Sequence, residues 1–211
     1  MKLILAALCV IAGCSAQAEV TLPTAFIYGV GERALTYERA REALDLARLR
    51  VREELGVHLR VDAEYRVRLH PPSPDYDYIP AQHRTLSRLR RFLDRGKRRK
   101  RINIGVISPL KMGEVFYVGG LASDICSIER RGVAFANCQE ENQAGAPRFN
   151  HSVTVITHEL THLLGGHHTN ELPATVMHPN AAAFVDEMFP LPFAEGTKAE
   201  VRVCVERRSG G

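Results

Sequence analysis

The chain has little that would commit it to a membrane. Its main apolar run, Leu3 to Ala12, is too short to span a bilayer, follows the single charge of Lys2 and gives way to small residues, so residues 1–18 read as an export signal. It also lacks internal repeats and long low-complexity tracts, which sets aside solenoids and arrays. The formal charge is only +4, falling to about +3 without Lys2, too small to name a partner. Gly29-Val30-Gly31 has no third glycine at the spacing of a phosphate-binding fingerprint and reads as a turn. Cysteine is scarce as well. Cys126, Cys138 and Cys204 are those beyond the signal region, an odd set in the oxidising compartment that an export signal implies.

What is present is a histidine-rich stretch, His158 to His168, reading HELTHLLGGHH. With 152–165 helical, His158 and His162 fall one turn apart on one face, so both imidazoles can reach one metal ion. Glu159, next to the first ligand, is placed to contact water as a general base without filling a coordination position. Gly165 can take the left-handed conformation that ends a helix, letting His168 return as a third ligand. Three histidines leave a fourth position open, the arrangement of catalytic zinc, whereas structural zinc is closed by four protein ligands. His151, His167 and His178 lie nearby and read as bystanders or supporting residues, the spacing selecting His168 over His167.

The pattern H-E-x-x-H-x-x-G-x-x-H, filled by His158, Glu159, His162, Gly165 and His168, resembles that of the metzincin metallopeptidases. Ala174-Thr175-Val176-Met177-His178-Pro179 is similar to the methionine turn that runs beneath the metal in that family, which implies a supporting, non-ligating role for Met177. Tyr117-Val118-Gly119-Gly120, then Cys126, then Gly132-Val133-Ala134, resembles the adamalysin or reprolysin branch, where the first segment is the edge strand of the cleft. Thr169 stands where that branch has aspartate, and no tyrosine follows Met177, unlike the subgroups in which such a tyrosine binds metal. No cysteine-switch segment is visible. The branch also implies a Cys126–Cys204 disulfide; Cys126 with Cys138 is the local competitor, and the sequence leaves the pairing open.

Along the chain, Thr24 to Gly29 reads as a strand. Tyr37 to Leu55 reads as a helix with Ala40, Leu44, Ala47, Val51 and Leu55 at helical spacing, capped by Thr36 and stopped by Gly56. Val57 to Leu69 alternates as a second strand before Pro71, Pro72 and Pro74. Ile79 to Arg95 reads as a helix. The basic run Lys97 to Arg101 is a solvated helix end, with anionic lipid or envelope polymer as the competing reading; export argues against nucleic acid. Ile102 to Ile107 is a buried strand, Val115 to Ala122 an edge strand, and Arg131 to Asn137 the fifth strand. Val153-Thr154-Val155-Ile156-Thr157 is β-branched, but tertiary context is expected to hold it helical, burying Val153, Ile156, Leu160 and Leu163, with Asn150 or Ser152 as cap. Thr197 with Glu200 suggests a capping box for a last helix from Lys198 to about Arg207.

Together these imply a single α/β metallopeptidase domain over residues 19–211, too short to include a folded pro-domain as well. It would have a mostly parallel five-stranded twisted sheet with an antiparallel edge strand, a zinc helix, a methionine turn and a C-terminal helix. The expected function is a zinc-dependent endopeptidase: one Zn²⁺ per chain on His158, His162 and His168, activating water, with Glu159 as general base. Its substrate would be a protein or peptide docked in extended form on the edge strand. A zinc-binding envelope lipoprotein that no longer cuts is the alternative. Ile11-Ala12-Gly13-Cys14 resembles a lipobox, favoured because it falls at the end of the apolar run, and competes with cleavage after Ala16-Gln17-Ala18. The expected product is a monomer exported to a bacterial cell envelope, periplasmic or outer-surface, attached through lipidated Cys14, or else secreted.

Overall fold

The computed structural model describes residues 20–30, 35–68, 87–92, 101–107, 119–123, 125–126, 132–138, 140–141, 147–171 and 173–209. The expected export signal with Cys14, the proline loop, most of the basic run and residues 115–118 of the expected edge strand lie outside them. Five strands, β1 (Val20–Val30), β2 (Val57–Arg68), β3 (Ile102–Ile107), β4 (Gly120–Ser123) and β5 (Val133–Asn137), form one sheet in the order β2-β1-β3-β5-β4. The first four of these neighbours run parallel, and β4 runs antiparallel to β5 at the edge. β1 begins earlier than the sequence suggested because Val20 pairs with Val57 and the ladder along β2 is continuous apart from a shift at Thr24/Ala25.

Successive residues of the strands serve opposite faces. Phe26, Ile102, Ile104, Ala134 and Ala136 enter the larger core, while Ile27 and Phe135 enter the smaller one. Helix α1 (Tyr37–Leu55) lays Ala40, Ala43, Leu44, Ala47 and Val51 into the larger core. Its start is capped as expected, Thr36 Oγ1 accepting from the Arg39 amide, and the amide of Gly56 closes it on the Arg52 carbonyl. The other face is covered by α2, helical over 87–92, where Leu89 and Phe92 pack on the strands. The rest of the Ile79 to Arg95 helix falls outside the described residues. Arg101, last of the basic run, pairs with Asp62 at 2.6 Å.

Helix α3 (Phe149–Leu163) carries the histidine motif through the middle of the fold. Its β-branched stretch is helical because nearly every side chain is buried on some side: Val153, Ile156, Leu160 and Leu163 enter the larger core, and burial outweighs a few tenths of a kcal/mol of propensity per residue. The Thr157 and Thr161 hydroxyls satisfy themselves on the carbonyls four residues back, both at 2.7 Å. The expected cap is corrected: the helix starts one turn earlier, at Arg148, so Asn150 and Ser152 lie inside it and no side chain caps it.

A second correction concerns the last helix, α4 (Glu195–Ser209). Thr197 lies within it and is buried, and Glu200 accepts instead from the His167 amide at 3.0 Å, so Thr197 and Glu200 form no capping box. Cys126 and Cys204 are disulfide-bonded, tying the turn after β4 to α4. Their separation of 78 residues corresponds to a loop-closure stabilisation of about 4–5 kcal/mol. Cys138 is buried, and burial pushes its thiol up to about 12, so it remains an unreactive thiol. Among the described residues no helix is long and apolar enough to cross a membrane.

Candidate metal centre

Helix α3 places His158 and His162 one turn apart, and the chain turns back after Leu163 to bring in His168. Gly165 makes that turn with φ 104°, and the room for it is tight: a Cβ there would lie 2.7 Å from Cβ of Cys204, so the motif glycine sits directly on the disulfide. The three Nε2 atoms form a nearly equilateral triangle, with sides of 3.0 Å (His158 to His162), 3.1 Å (His158 to His168) and 3.1 Å (His162 to His168). His151, His167 and His178 stay outside it. His167 is exposed and faces Glu200 at 3.4 Å, and His178 packs edge-on against Phe184.

The other ring nitrogens fix what those Nε2 atoms are. His158 Nδ1 lies 2.7 Å from the Val176 carbonyl, and His162 Nδ1 lies 2.8 Å from the Gly166 carbonyl. A carbonyl only accepts, so each Nδ1 carries the proton and each Nε2 presents a bare lone pair. Two lone pairs 3.0 Å apart repel; a cation is the group that fits among them. The centre of a triangle this size lies nearer its corners than the ~2.0–2.1 Å of a zinc–nitrogen bond, so one ion can reach all three. Burial also keeps the rings uncharged, lowering His158 to about 3 and His162 to about 4, with neighbouring histidines adding to the effect at His158.

Glu159 occupies the adjacent face. It is only 3% exposed, and its Oε2 has no hydrogen-bond partner among the described residues. Its carboxyl packs against β4, where a Cβ on Gly120 would come within 2.6 Å of Oε1. Burial raises its pKa well above the carboxylic range, so without a cation nearby it holds its proton.

The methionine segment forms the floor. Met177 is fully buried with Val176, Ala181, Val185, Leu191 and Phe193. Its backbone is bonded from two sides: the Thr169 amide donates to the Met177 carbonyl at 3.1 Å, and the Val176 amide donates to Pro192 at 2.9 Å. Arg50 of α1 donates to the Leu191 carbonyl and lies over the Phe193 ring, 5.6 Å from its centroid. Sequence reading missed Arg50, Gly166 and Val176 as supports, because two of them act through carbonyls and the third reaches across 141 residues of chain.

A cleft of about 930 Å³ opens over the triad, lined on one side by Gly119, Gly120, Leu121 and Ala122 of the β4 strand and its approach. β4 is the sheet edge among the described residues, and none of these pairs with the side of its backbone turned away from β5, the side on which an added strand could pair. The described strand covers Gly120–Ser123, one residue past the expected end.

No protein-family model and no curated protein matches the chain. Solved structures do. Archaemetzincin from Methanopyrus kandleri superimposes with a TM-score of 0.60 at 19% identity, covering 89% of this chain and 97% of its own. A zinc-dependent peptidase from Methanocorpusculum labreanum gives 0.57 at 16%, covering 84% and 99%. Metalloproteinase-II from Bacteroides fragilis gives 0.55 at 16%, covering 90% of this chain and 55% of its own. At these identities the likeness establishes the fold.

Proposed function

We propose that the protein is a zinc-dependent endopeptidase of metzincin type. The observation that carries the proposal is the triangle of three imidazole nitrogens, two of them held unprotonated by carbonyls on the far side of their rings, beside a buried carboxyl whose Oε2 has no partner among the described residues, at the bottom of a cleft bounded by a sheet edge. That fold is shared with solved structures described as an archaemetzincin, a metalloproteinase and a zinc-dependent peptidase, which supports the same reading. The Cys126–Cys204 bond supports the adamalysin-like branch, since it is the pairing that branch implies.

His158, His162 and His168 would hold the ion, and Val176 and Gly166 hold two of those rings in the required tautomer. When bound, zinc supplies Lewis acidity toward water and a carbonyl, and a positive charge that favours the ionised carboxylate of Glu159. The substrate lies extended and antiparallel to β4, its main chain pairing with the strand's open edge, so affinity comes largely from backbone and selectivity from side-chain pockets. Glu159 takes a proton from the attacking water and delivers it to the amine nitrogen as the C–N bond breaks. Its position between Gly120 and the histidines keeps it out of bulk water and within reach of whatever lies along β4. We place the mature protein outside the cytoplasm.

The test pairs Glu159→Gln with His162→Ala. Glu159→Gln should retain zinc by elemental analysis and lose activity on a proteome-derived peptide library by a few orders of magnitude; His162→Ala should lose tightly bound zinc. Undiminished cleavage by Glu159→Gln, or equal zinc in both variants, overturns the assignment. A zinc-loaded wild-type protein that cuts no peptide moves the non-cutting binding module ahead.

A further inference from the structure

The cleft does not end at the metal centre. It continues along α3 toward the start of the helix, where Thr154, His151 and Arg148 line it. Positions 148, 151, 155, 158, 159 and 162 recur at three- and four-residue spacing, so one face of α3 runs from the ligand histidines to Arg148. At 1.5 Å per residue, the backbone of Arg148 lies ~15 Å along the helix from His158, about the reach of four residues of extended substrate.

The chemistry of this far arm differs from that at the triad. Arg148 is half-buried, gives no side-chain cap to α3 and has no ion pair among the described residues. The first turn of α3 contains no acidic residue, so the positive pole of the helix is not offset there. Thr154 is fully buried, lines the cleft, and its hydroxyl has no hydrogen-bond partner among the described residues. His151 is buried enough to be neutral, lowered to about 4, with Arg148 pushing the same way and Asp186, exposed and outside the lining, opposing. Glu159 is the one acidic residue among those lining the cleft. The arm therefore offers a permanent cation, an imidazole and an orphaned hydroxyl; no acidic residue lines it, the neighbouring Glu140 and Glu141 beside the Arg148 backbone and Asp186 near His151 lying outside the lining. That set fits a carboxylate, which accepts several hydrogen bonds and prefers guanidinium.

We infer that Arg148 selects substrates carrying a carboxylate within about four residues of the scissile bond, on one side of it, from an Asp or Glu side chain or from the peptide's own C-terminus. This deepens the peptidase reading and rests on it. His151 and Thr154 complete the site as donors, and the apolar residues Ala181, Ala183 and Phe184 line the same cleft.

The experiment uses the full chain. Zinc-loaded Glu159→Gln protein is titrated by competition anisotropy with positional peptide mixtures that differ only in Glu against Gln at each position, each with a free and an amidated C-terminus. The acidic member should bind about tenfold tighter or more at one position, and the ratio should fall to within twofold in Glu159→Gln/Arg148→Ala, while Arg148→Lys retains part of it. A preference that survives amidation comes from a side chain; one abolished by amidation comes from the C-terminus. Because each ratio is taken within one variant, a smaller folded fraction does not alter it. A Glu/Gln ratio within twofold everywhere, or one unchanged by Arg148→Ala, overturns the inference. Cleavage of the same mixtures by the wild-type protein reports separately on the peptidase reading: no cutting overturns that reading, and cutting without acid preference overturns only the role of Arg148.

Discussion

Gly165→Ala tests how the histidine motif is held to the rest of the molecule. The new methyl meets two obstacles. At φ 104° an L-residue is strained, at roughly 1–3 kcal/mol. It also lands 2.7 Å from Cβ of Cys204 and 3.2 Å from its Sγ, an overpacking of about 1–3 kcal/mol in a region with little room to give. The lower entropy of an unfolded chain with alanine offsets about 0.4–1 kcal/mol. The net expectation is a loss of roughly 2–4 kcal/mol, a large share of the ~5–15 kcal/mol of a typical domain. Urea unfolding of the zinc-free protein measures it. The same substitution in a Cys126→Ser/Cys204→Ser background separates the two contributions: with α4 untethered, the helix can back away from the methyl, and the loss should shrink by about 1 kcal/mol, an interaction of the size expected for residues in contact. A loss below about 0.5 kcal/mol in the disulfide-bonded protein would refute the geometry. Equal losses in both backgrounds would leave backbone strain alone and refute the contact with Cys204.

Acid should destabilise the metal-free protein well above the pKa values of ordinary carboxyls. His151, His158 and His162 lie at about 4, 3 and 4 when folded, against the ordinary 6.5. Between pH 6.5 and 4 the unfolded chain therefore binds more protons at these residues, and stability present above 6.5 is lost as pH falls through this window. Glu159, raised when folded, works the other way by one proton and does not reverse the sign. Unfolding titrations should show His151→Asn flattening the slope by about 1.4 kcal/mol per pH unit; an unchanged slope would mean His151 is not buried in its neutral form. At the other end of the chain, lipidation of Cys14 predicts palmitate labelling and membrane fractionation that Cys14→Ala abolishes, whereas a mature N-terminus at Glu19 would mean cleavage after Ala18.

The parts of this molecule that could be read in advance are those whose signal is local. The spacing of His158, His162 and His168 follows from one helix and one turn. The apolar period of α1, its Thr36 cap and the β-branched run of β3 likewise report on themselves. The misplaced boundaries have local causes too: Asn150, Ser152 and Thr197 are good capping residues by type, but Ser152 and Thr197 are buried inside α3 and α4, and α3 begins ahead of the exposed Asn150. What no pattern carried was contact between distant segments. Gly120 pressed against Glu159, Gly165 resting on Cys204 and Arg50 reaching Leu191 are each meaningful only once the sheet and α4 have brought the two ends together. The pairing of Cys126 with Cys204 is the one the family resemblance implied, while the residues themselves left it open, because sequence nearness pointed to Cys138.

Two of the proposed ligand histidines, His158 and His162, take their orientation from the carbonyls of Val176 and Gly166. A main-chain carbonyl is the one acceptor that no substitution removes. The outer support of this site is thus inherited through the path of the backbone and not through residue identity, and it imposes no letter of its own on the sequence. The same fact limits transplantation. Grafting His158, Glu159, His162 and His168 onto another scaffold would carry the ligands across and leave behind the two turns that aim them.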